Sequence, residues 1–120
     1  MIWDDESNYI RLERNRWWAV EGQRYACYPP LIEYHRNGEL PITNPDPTWN
    51  EFFAGKSTWL RLERKGDLMT ASYSHDGKKW REAKQFKAKL ATQLRVGLVV
   101  VNTSIRELNV EFDDFKLTTN

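Results

Sequence analysis

The chain has 120 residues, of which 18 are basic and 17 are acidic, so its formal net charge at pH 7 is +1. A nucleic-acid-binding surface needs a clear basic excess to release counterions from phosphates, and this composition argues against one. A chain of this length can bury a core without disulfides, and the single cysteine, Cys27, excludes an intramolecular disulfide. We therefore expect one domain that spans residues 1–120.

Membrane and export segments are not indicated. The longest uncharged apolar run, residues 96–101, is far shorter than the roughly 20 residues of a membrane helix. The N-terminus is acidic at residues 4–6, where a signal peptide would be basic and then apolar. We expect a soluble chain that has no signal peptide, is cytoplasmic as written, and does not bind membranes.

Two short segments share one alternating pattern. Residues 9–14 (Tyr-Ile-Arg-Leu-Glu-Arg) and residues 59–64 (Trp-Leu-Arg-Leu-Glu-Arg) are almost identical, and apolar residues alternate with aromatic or charged ones in both. This period of two is typical of half-buried strands. The simplest interpretation is that they are two strands of one sheet. Its outer face would then carry Tyr9, Arg11 and Glu13 from the first strand and Trp59, Arg61 and Glu63 from the second.

Further strands follow from alternation and turn signals. Gly66 marks one turn, and Asp76-Gly77 is a strong hairpin signal because glycine tolerates positive φ. Residues 94–102 are almost continuously apolar, which predicts a central strand buried on both faces. The last segment changes phase at Asp113-Asp114, which indicates a bulge. The predicted strands are 8–14, 16–23, 30–37, 58–65, 68–75, 94–102 and 107–117. The predicted core is Ile10, Leu12, Leu60, Leu62, Val96, Leu98, Val100, Val110 and Phe112.

The middle of the chain differs in composition. All five prolines lie within a long insertion at about residues 24–56, together with Trp49, Phe52 and Phe53. A strand is predicted in its 30–37 portion, and residues 39–56 are predicted to form an ordered loop, since three large aromatics argue against disorder. These aromatics would plug one end of the fold, and Trp49 is also a candidate ligand contact.

The motifs in their order resemble those of a known family. They are Trp59 to Asp67, the Tyr73 to Trp80 hairpin, Val96-Gly97-Leu98 and Phe112-Asp113-Asp114-Phe115, preceded by Asp5 to Glu13. In this order they resemble the concanavalin A-like sandwiches appended to bacterial β-xylosidases and found alone in other bacterial proteins. The resemblance covers nearly the whole chain except residues 24–56. It implies an all-β, antiparallel, jelly-roll sandwich.

The chain departs from that family at its beginning. Several strands that precede residue 2 in the family have no counterpart here, so either residues 24–56 or a second copy of the chain would complete the sandwich. An exposed sheet edge invites pairing with another chain. We therefore expect a homodimer whose interface includes Trp or Tyr side chains from the first 30 residues.

Candidate chemistry favours binding over catalysis. The nearest match to the Glu-x-Asp-x-x-Glu strand of glucan-hydrolysing sandwiches is residues 111–116, where Lys116 replaces the required acid. No catalytic triad, phosphate loop or metal cluster is recognisable, so we expect no enzyme activity, no cofactor and no metal site. The candidate carbohydrate-binding residues are Tyr9, Arg11, Glu13, Trp49, Trp59, Arg61 and Glu63.

Other interpretations of the same residues stay open. The Arg and Glu side chains could form a ladder of solvated ion pairs with no ligand, each worth less than about 1 kcal/mol. At the level of function, the alternatives to a carbohydrate-binding module are a structural, self-assembling module and, less favoured by the residues, a glycoside-active enzyme or part of one.

Overall fold

The structure is a computed structural model that describes residues 1–14, 17–18, 26–27, 30–43, 57–103 and 105–119. These residues form ten β-strands and no helix, which confirms the predicted all-β class and its antiparallel sandwich. The strands are β1 (Ile2–Asp5), β2 (Asn8–Arg14), β3 (Trp17–Trp18), β4 (Ala26–Cys27), β5 (Pro30–Arg36), β6 (Glu39–Thr43), β7 (Trp59–Lys65), β8 (Leu68–Ser74), β9 (Trp80–Lys87) and β10 (Arg95–Val96).

The strands form two main sheets and one small pair. The larger sheet has the order β10-β1-β2-β5-β6, the second has the order β7-β8-β9, and β3 pairs with β4. Every pairing is antiparallel. The second sheet is a simple meander, and its two turns contain Gly66 and Gly77, both at positive φ. Both turns lie where the sequence predicts them.

The core lies between the two main sheets. Ile10 and Ile32 come from the five-stranded sheet, Met69 and Ala71 come from the meander, and all four are fully buried. The ring of Tyr34 stacks on the ring of Phe86 across the two sheets, with centroids 5.9 Å apart. The remaining buried members are Ile2, Leu12 and Ala88, and Ile42, Leu62, Leu90 and Leu94 pack against this cluster.

Arg64 hydrogen-bonds to the crossing segment, residues 88–94, which connects β9 of the meander to β10 of the larger sheet. Its guanidinium donates hydrogen bonds to the carbonyl oxygens of Gly66, Leu90 and Ala91, at 2.8, 3.0 and 2.6 Å respectively. A planar guanidinium offers several donors in a fixed geometry, so one side chain satisfies three backbone acceptors. The crossing is held beside β7 as a result.

The structure confirms some of the predicted strands and not others. Strands predicted at 8–14, 30–37, 58–65 and 68–75 are confirmed within a residue. Of the strand predicted at 16–23, β3 is described and the other residues lie outside the described ranges. β1, β4, β6 and β9 are not among the strands predicted from the sequence, and β6 lies where a loop was predicted.

The repeated Arg-Leu-Glu-Arg pattern does not mark neighbouring strands. β2 pairs with β1 and β5, whereas β7 pairs with β8 in the other sheet. The prediction that they share one sheet is therefore wrong. Local alternation specifies a strand with one apolar face, but it carries no information about which other strand lies beside it.

The predicted C-terminal strands are the largest difference. Only Arg95–Val96 of the strand predicted at 94–102 is a strand, and none of the described residues in 107–117 is one. The bulge predicted at Asp113-Asp114 is absent because that segment is unpaired, and Asp114 instead takes a φ of 52°. Of the predicted core, Ile10 and Leu12 are buried and Leu62 packs against the core, but Leu60, Val96, Leu98, Val100, Val110 and Phe112 are exposed.

Candidate functional site

The outer face of the meander carries aromatic and polar side chains in three rows across the strands, and the central serines of two rows, Ser72 and Ser74, are buried. Residues paired across antiparallel strands lie on the same side of a sheet. The rows are Trp59, Ser74 and Trp80; Arg61, Ser72 and Glu82; and Glu63, Thr70 and Gln85. We call these nine residues the tryptophan face. Met69 and Ala71 point to the other side, into the core, so this face is directed away from the larger sheet.

The turn between β8 and β9 supports Trp59. A Cβ atom added to Gly77 would lie 2.8 Å from Cε2 of the Trp59 indole, so the ring packs directly on the turn backbone. Asp76 fixes the turn because its carboxylate accepts hydrogen bonds from the backbone N–H groups of Lys78 and Lys79, both at 2.8 Å. The Lys79 and Lys78 N–H groups lower the pKa of Asp76 to about 2. An ionised Asp76 thus holds the surface on which Trp59 rests.

Arg61 links the second tryptophan to the acidic part of the face. Its guanidinium carbon lies 4.1 Å from the centre of the Trp80 ring, a cation–π contact worth about 0.5–1 kcal/mol at an exposed site. Its Nε lies 3.3 Å from Oε2 of Glu63. Both charged side chains are partly exposed, at 41% and 49%, so their charges remain accessible to a ligand.

A shallow open depression adjoins these residues on the same face. It is lined by Glu63, Lys65, Leu68, Thr70 and Gln85. The amide of Gln85 donates a hydrogen bond of 3.2 Å to the Thr70 hydroxyl. Donors and acceptors of both kinds therefore surround a partly apolar floor.

The outer face of the larger sheet carries a different cluster, which we call the ion-pair face: Tyr9, Arg11, Glu13, Glu33 and His35. The Arg11 guanidinium bridges two carboxylates, because it pairs with Glu33 and its Nε lies 3.1 Å from Glu13. His35 lies 3.1 Å from the same Glu33 oxygen and stacks on Tyr9 with centroids 4.2 Å apart.

The charged groups of the ion-pair face are enclosed rather than open. The side chains of Arg11 and Glu13 are each 22% exposed, and that of Glu33 is 16% exposed. Burial raises the pKa of Glu13, an effect that Arg11 opposes and Glu33 increases. Because these charges are paired with one another and little exposed, this cluster has less capacity for a ligand than the tryptophan face.

The predicted site residues are thereby divided between two surfaces. Tyr9, Arg11 and Glu13 lie on the ion-pair face, whereas Trp59, Arg61 and Glu63 lie on the tryptophan face, with the core between the two. Trp49 lies outside the described residues. Each trio is local in sequence, which is why each was predicted correctly as a set of neighbours.

Trp80 also lies on the tryptophan face, although it is not among the site residues predicted from the sequence. Counting through the Asp76-Gly77 hairpin would have found it, because the turn sets Trp80 opposite Ser74 and the preceding turn sets Ser74 opposite Trp59. Register is fixed by turn geometry and length.

The described part of the chain contains no candidate metal site and no candidate membrane-spanning helix. No three His, Cys, Asp or Glu side chains there lie close enough together to hold a metal ion. Likewise, no described segment forms a helix of the length and apolarity required to cross a membrane.

Comparison with known proteins places the chain in a family. Neither the curated proteins nor the solved structures include a match to it. Residues 44–120, which hold the whole meander and the C-terminal segment, match the model of a family described as a protein of unknown function (DUF1349). The match covers more than half of the chain, and the fold known for that family is concanavalin A-like. The chain therefore belongs to the DUF1349 family.

Proposed function

We propose that this protein is a non-catalytic carbohydrate-binding module that takes a neutral oligosaccharide or polysaccharide on the tryptophan face. The observation that carries the proposal is the register that aligns Trp59 and Trp80 in one row across the meander, beside Arg61 and Glu63. Aromatic rings stack on the apolar C–H faces of sugars, and nearby charged and amide groups hydrogen-bond their hydroxyls. The tryptophan face offers both kinds of group within three adjacent strands.

The spacing of the two tryptophans favours a chain of sugars over a single one. They are separated by one intervening strand, so their backbones lie about 10 Å apart. A monosaccharide is too short to stack on both rings, whereas an oligosaccharide lying across the strands can do so. The charges of the face are mixed, with Arg61 beside Glu63 and Glu82, which favours a neutral ligand over a polyanion.

The resemblance to the sandwich domains of bacterial β-xylosidases is consistent with a carbohydrate ligand, since those domains accompany polysaccharide-degrading enzymes. That relationship is itself part of the proposal. Catalysis is not part of it, because retaining hydrolysis needs two carboxylates about 5 Å apart, one of them protonated. On the tryptophan face, Glu63 is instead paired with Arg61.

A glycan array probed with the labelled protein tests the proposal, followed by calorimetric titration with the oligosaccharide that gives the strongest signal. We expect binding in the neutral glycans and a loss of affinity of about tenfold or more in Trp80→Ala, corresponding to about 1.4 kcal/mol. Circular dichroism of the variant checks that its fold is retained. An array without any glycan signal would contradict the proposal.

The two Arg-Leu-Glu-Arg strands supply matched controls. Trp59→Ala and Glu63→Ala remove groups from the tryptophan face, whereas Tyr9→Ala and Glu13→Ala remove the corresponding groups from the ion-pair face. We expect the first pair to weaken oligosaccharide binding and the second pair to leave it unchanged. Glu63→Ala should also leave the melting temperature nearly unchanged, because an exposed ion pair contributes little to folding. The opposite pattern of binding would move the site to the ion-pair face.

A further inference from the structure

The C-terminal segment, residues 96–117, exposes many apolar side chains to water. Ten of the described apolar side chains in this segment are each at least 38% exposed: Val96, Leu98, Val100, Val101, Ile105, Leu108, Val110, Phe112, Phe115 and Leu117. Apolar residues scattered singly over a surface are normal, but a concentration of ten in one segment is typical of an interaction site. These residues also lie within the part of the chain that matches the family, so they belong to the domain itself.

The sequence of residues 107–113 is that of a strand with one apolar face. Leu108, Val110 and Phe112 alternate with polar residues, which is the pattern of a half-buried strand. In the structure these residues are neither paired nor buried. The segment is therefore a strand sequence without a sheet.

The meander offers an edge of the matching length. Among the described strands, β9 pairs only with β8, so its far side presents backbone N–H and C=O groups to another strand. β9 has eight residues, and the alternating segment has seven. Phe86, which points into the core from β9, would continue as an apolar row through the added strand.

Charge makes β9 and this segment complementary. β9 and its flanks, residues 78–89, carry six basic residues and one acidic residue. Residues 107–113 carry three acidic residues and no basic one. Lysines on an edge strand hinder unspecific strand addition, but an acidic strand gains opposite-charge pairs there. The overall net charge of +1 adds little repulsion between two copies of the chain.

We propose that residues 107–113 of one copy add to β9 of a second copy, so that two chains exchange strands about a two-fold axis. The exchange gives three of the exposed apolar side chains, Leu108, Val110 and Phe112, a surface on which to pack. The exchange also enlarges the three-stranded sheet that faces the five-stranded one. The expected homodimer thus forms through the C-terminal segment, and not through aromatic residues of the first 30 residues. This inference is independent of carbohydrate binding.

Light scattering coupled to size-exclusion chromatography tests the exchange at micromolar concentration. The wild type should have twice the 14.3 kDa mass of one chain. Val110→Pro removes a backbone donor from the added strand and should give the monomer, whereas Thr118→Pro, which lies beyond the strand, should remain dimeric. A wild-type protein that is monodisperse at the monomer mass would overturn the proposal. This outcome includes a monomer in which residues 107–113 pair with β9 of the same chain.

Charge reversal then identifies the paired edge. Glu111→Lys with Asp113→Lys, and separately Lys87→Glu with Lys89→Glu, should each weaken dimerisation at least tenfold while leaving the chain folded, since all four side chains are exposed. Mixing the two double variants should restore a heterodimer by native mass spectrometry. A dimer that tolerates both reversals, or a mixture that fails to associate, would show that β9 is not the partner.

Discussion

Replacing Gly77 with alanine measures how firmly the β8–β9 turn holds the Trp59 ring. Gly77 has a φ of +71°, where a side chain costs roughly 1–2 kcal/mol. The new Cβ would also lie 2.8 Å from Cε2 of Trp59, so the indole must move. Pushing a side chain away from its rotamer costs about 0.5–1.5 kcal/mol. We therefore expect Gly77→Ala to destabilise the folded state by about 1.5–3.5 kcal/mol.

Gly66→Ala is the matched control. Gly66 has a similar φ of +61°, but an added Cβ would have no neighbour within 4 Å. It therefore carries the backbone cost without the contact with Trp59. Both variants gain about 0.4–1 kcal/mol from a stiffer unfolded chain, which cancels in the comparison.

Urea denaturation followed by circular dichroism gives the two free energies. We expect Gly77→Ala to be less stable than Gly66→Ala by about 0.5–1.5 kcal/mol. We also expect Gly77→Ala, but not Gly66→Ala, to weaken oligosaccharide binding, since Trp59 is displaced in the former alone. Equal stabilities would refute the argument that the Trp59 ring rests on the turn backbone.

The remaining predictions concern acid stability, the core and the crossing segment. Because the pKa of Asp76 is lowered in the folded state, its ionised carboxylate stabilises the fold fully above pH 3.8, and this stabilisation is lost as the pH falls toward about 2. Asp76→Asn should therefore remove this acid-induced loss of stability, which denaturation midpoints measured across that pH range would detect. Ile32→Ala should cost about 2–5 kcal/mol of unfolding free energy, because Ile32 is fully buried; a loss under about 1 kcal/mol would contradict this core. Arg64→Lys should cost about 2–4 kcal/mol in the same assay, because lysine cannot reach the three carbonyl groups together. An unchanged midpoint would show that the crossing segment holds without this side chain.

Two strands of the meander, β7 and β8, and both of its turns could be predicted because their information is local, whereas β9 was not predicted. Gly66 and Gly77 fix two tight turns, and alternation on either side of them fixes which side chains face the core. Trp59, Arg61 and Glu63 were therefore correctly predicted to share a face. Trp80 was missed only because the register was not followed through the second turn.

The larger sheet could not be predicted in the same way because its pairings join distant residues. β2 lies between β1 and β5, yet the strand that it most resembles, β7, belongs to the other sheet. A matching pattern of Arg, Leu and Glu indicates a similar local environment and not adjacency. The same limit applies to Val110 and Phe112, whose alternation indicates a need for burial without specifying which surface supplies it.

The strand order has a consequence for the folding pathway. β7, β8 and β9 follow one another along the chain, so the meander needs only short loops to close. β1 instead pairs with β10, which joins Ile2 to Val96, and closing so long a loop carries a larger entropic cost. Contacts that are distant in sequence slow folding. The meander is therefore expected to form first. The edge where Met1 and Gly97 exchange hydrogen bonds is expected to form last. The meander, which lies in the part of the chain that matches the family, would then fold before the strands that precede it.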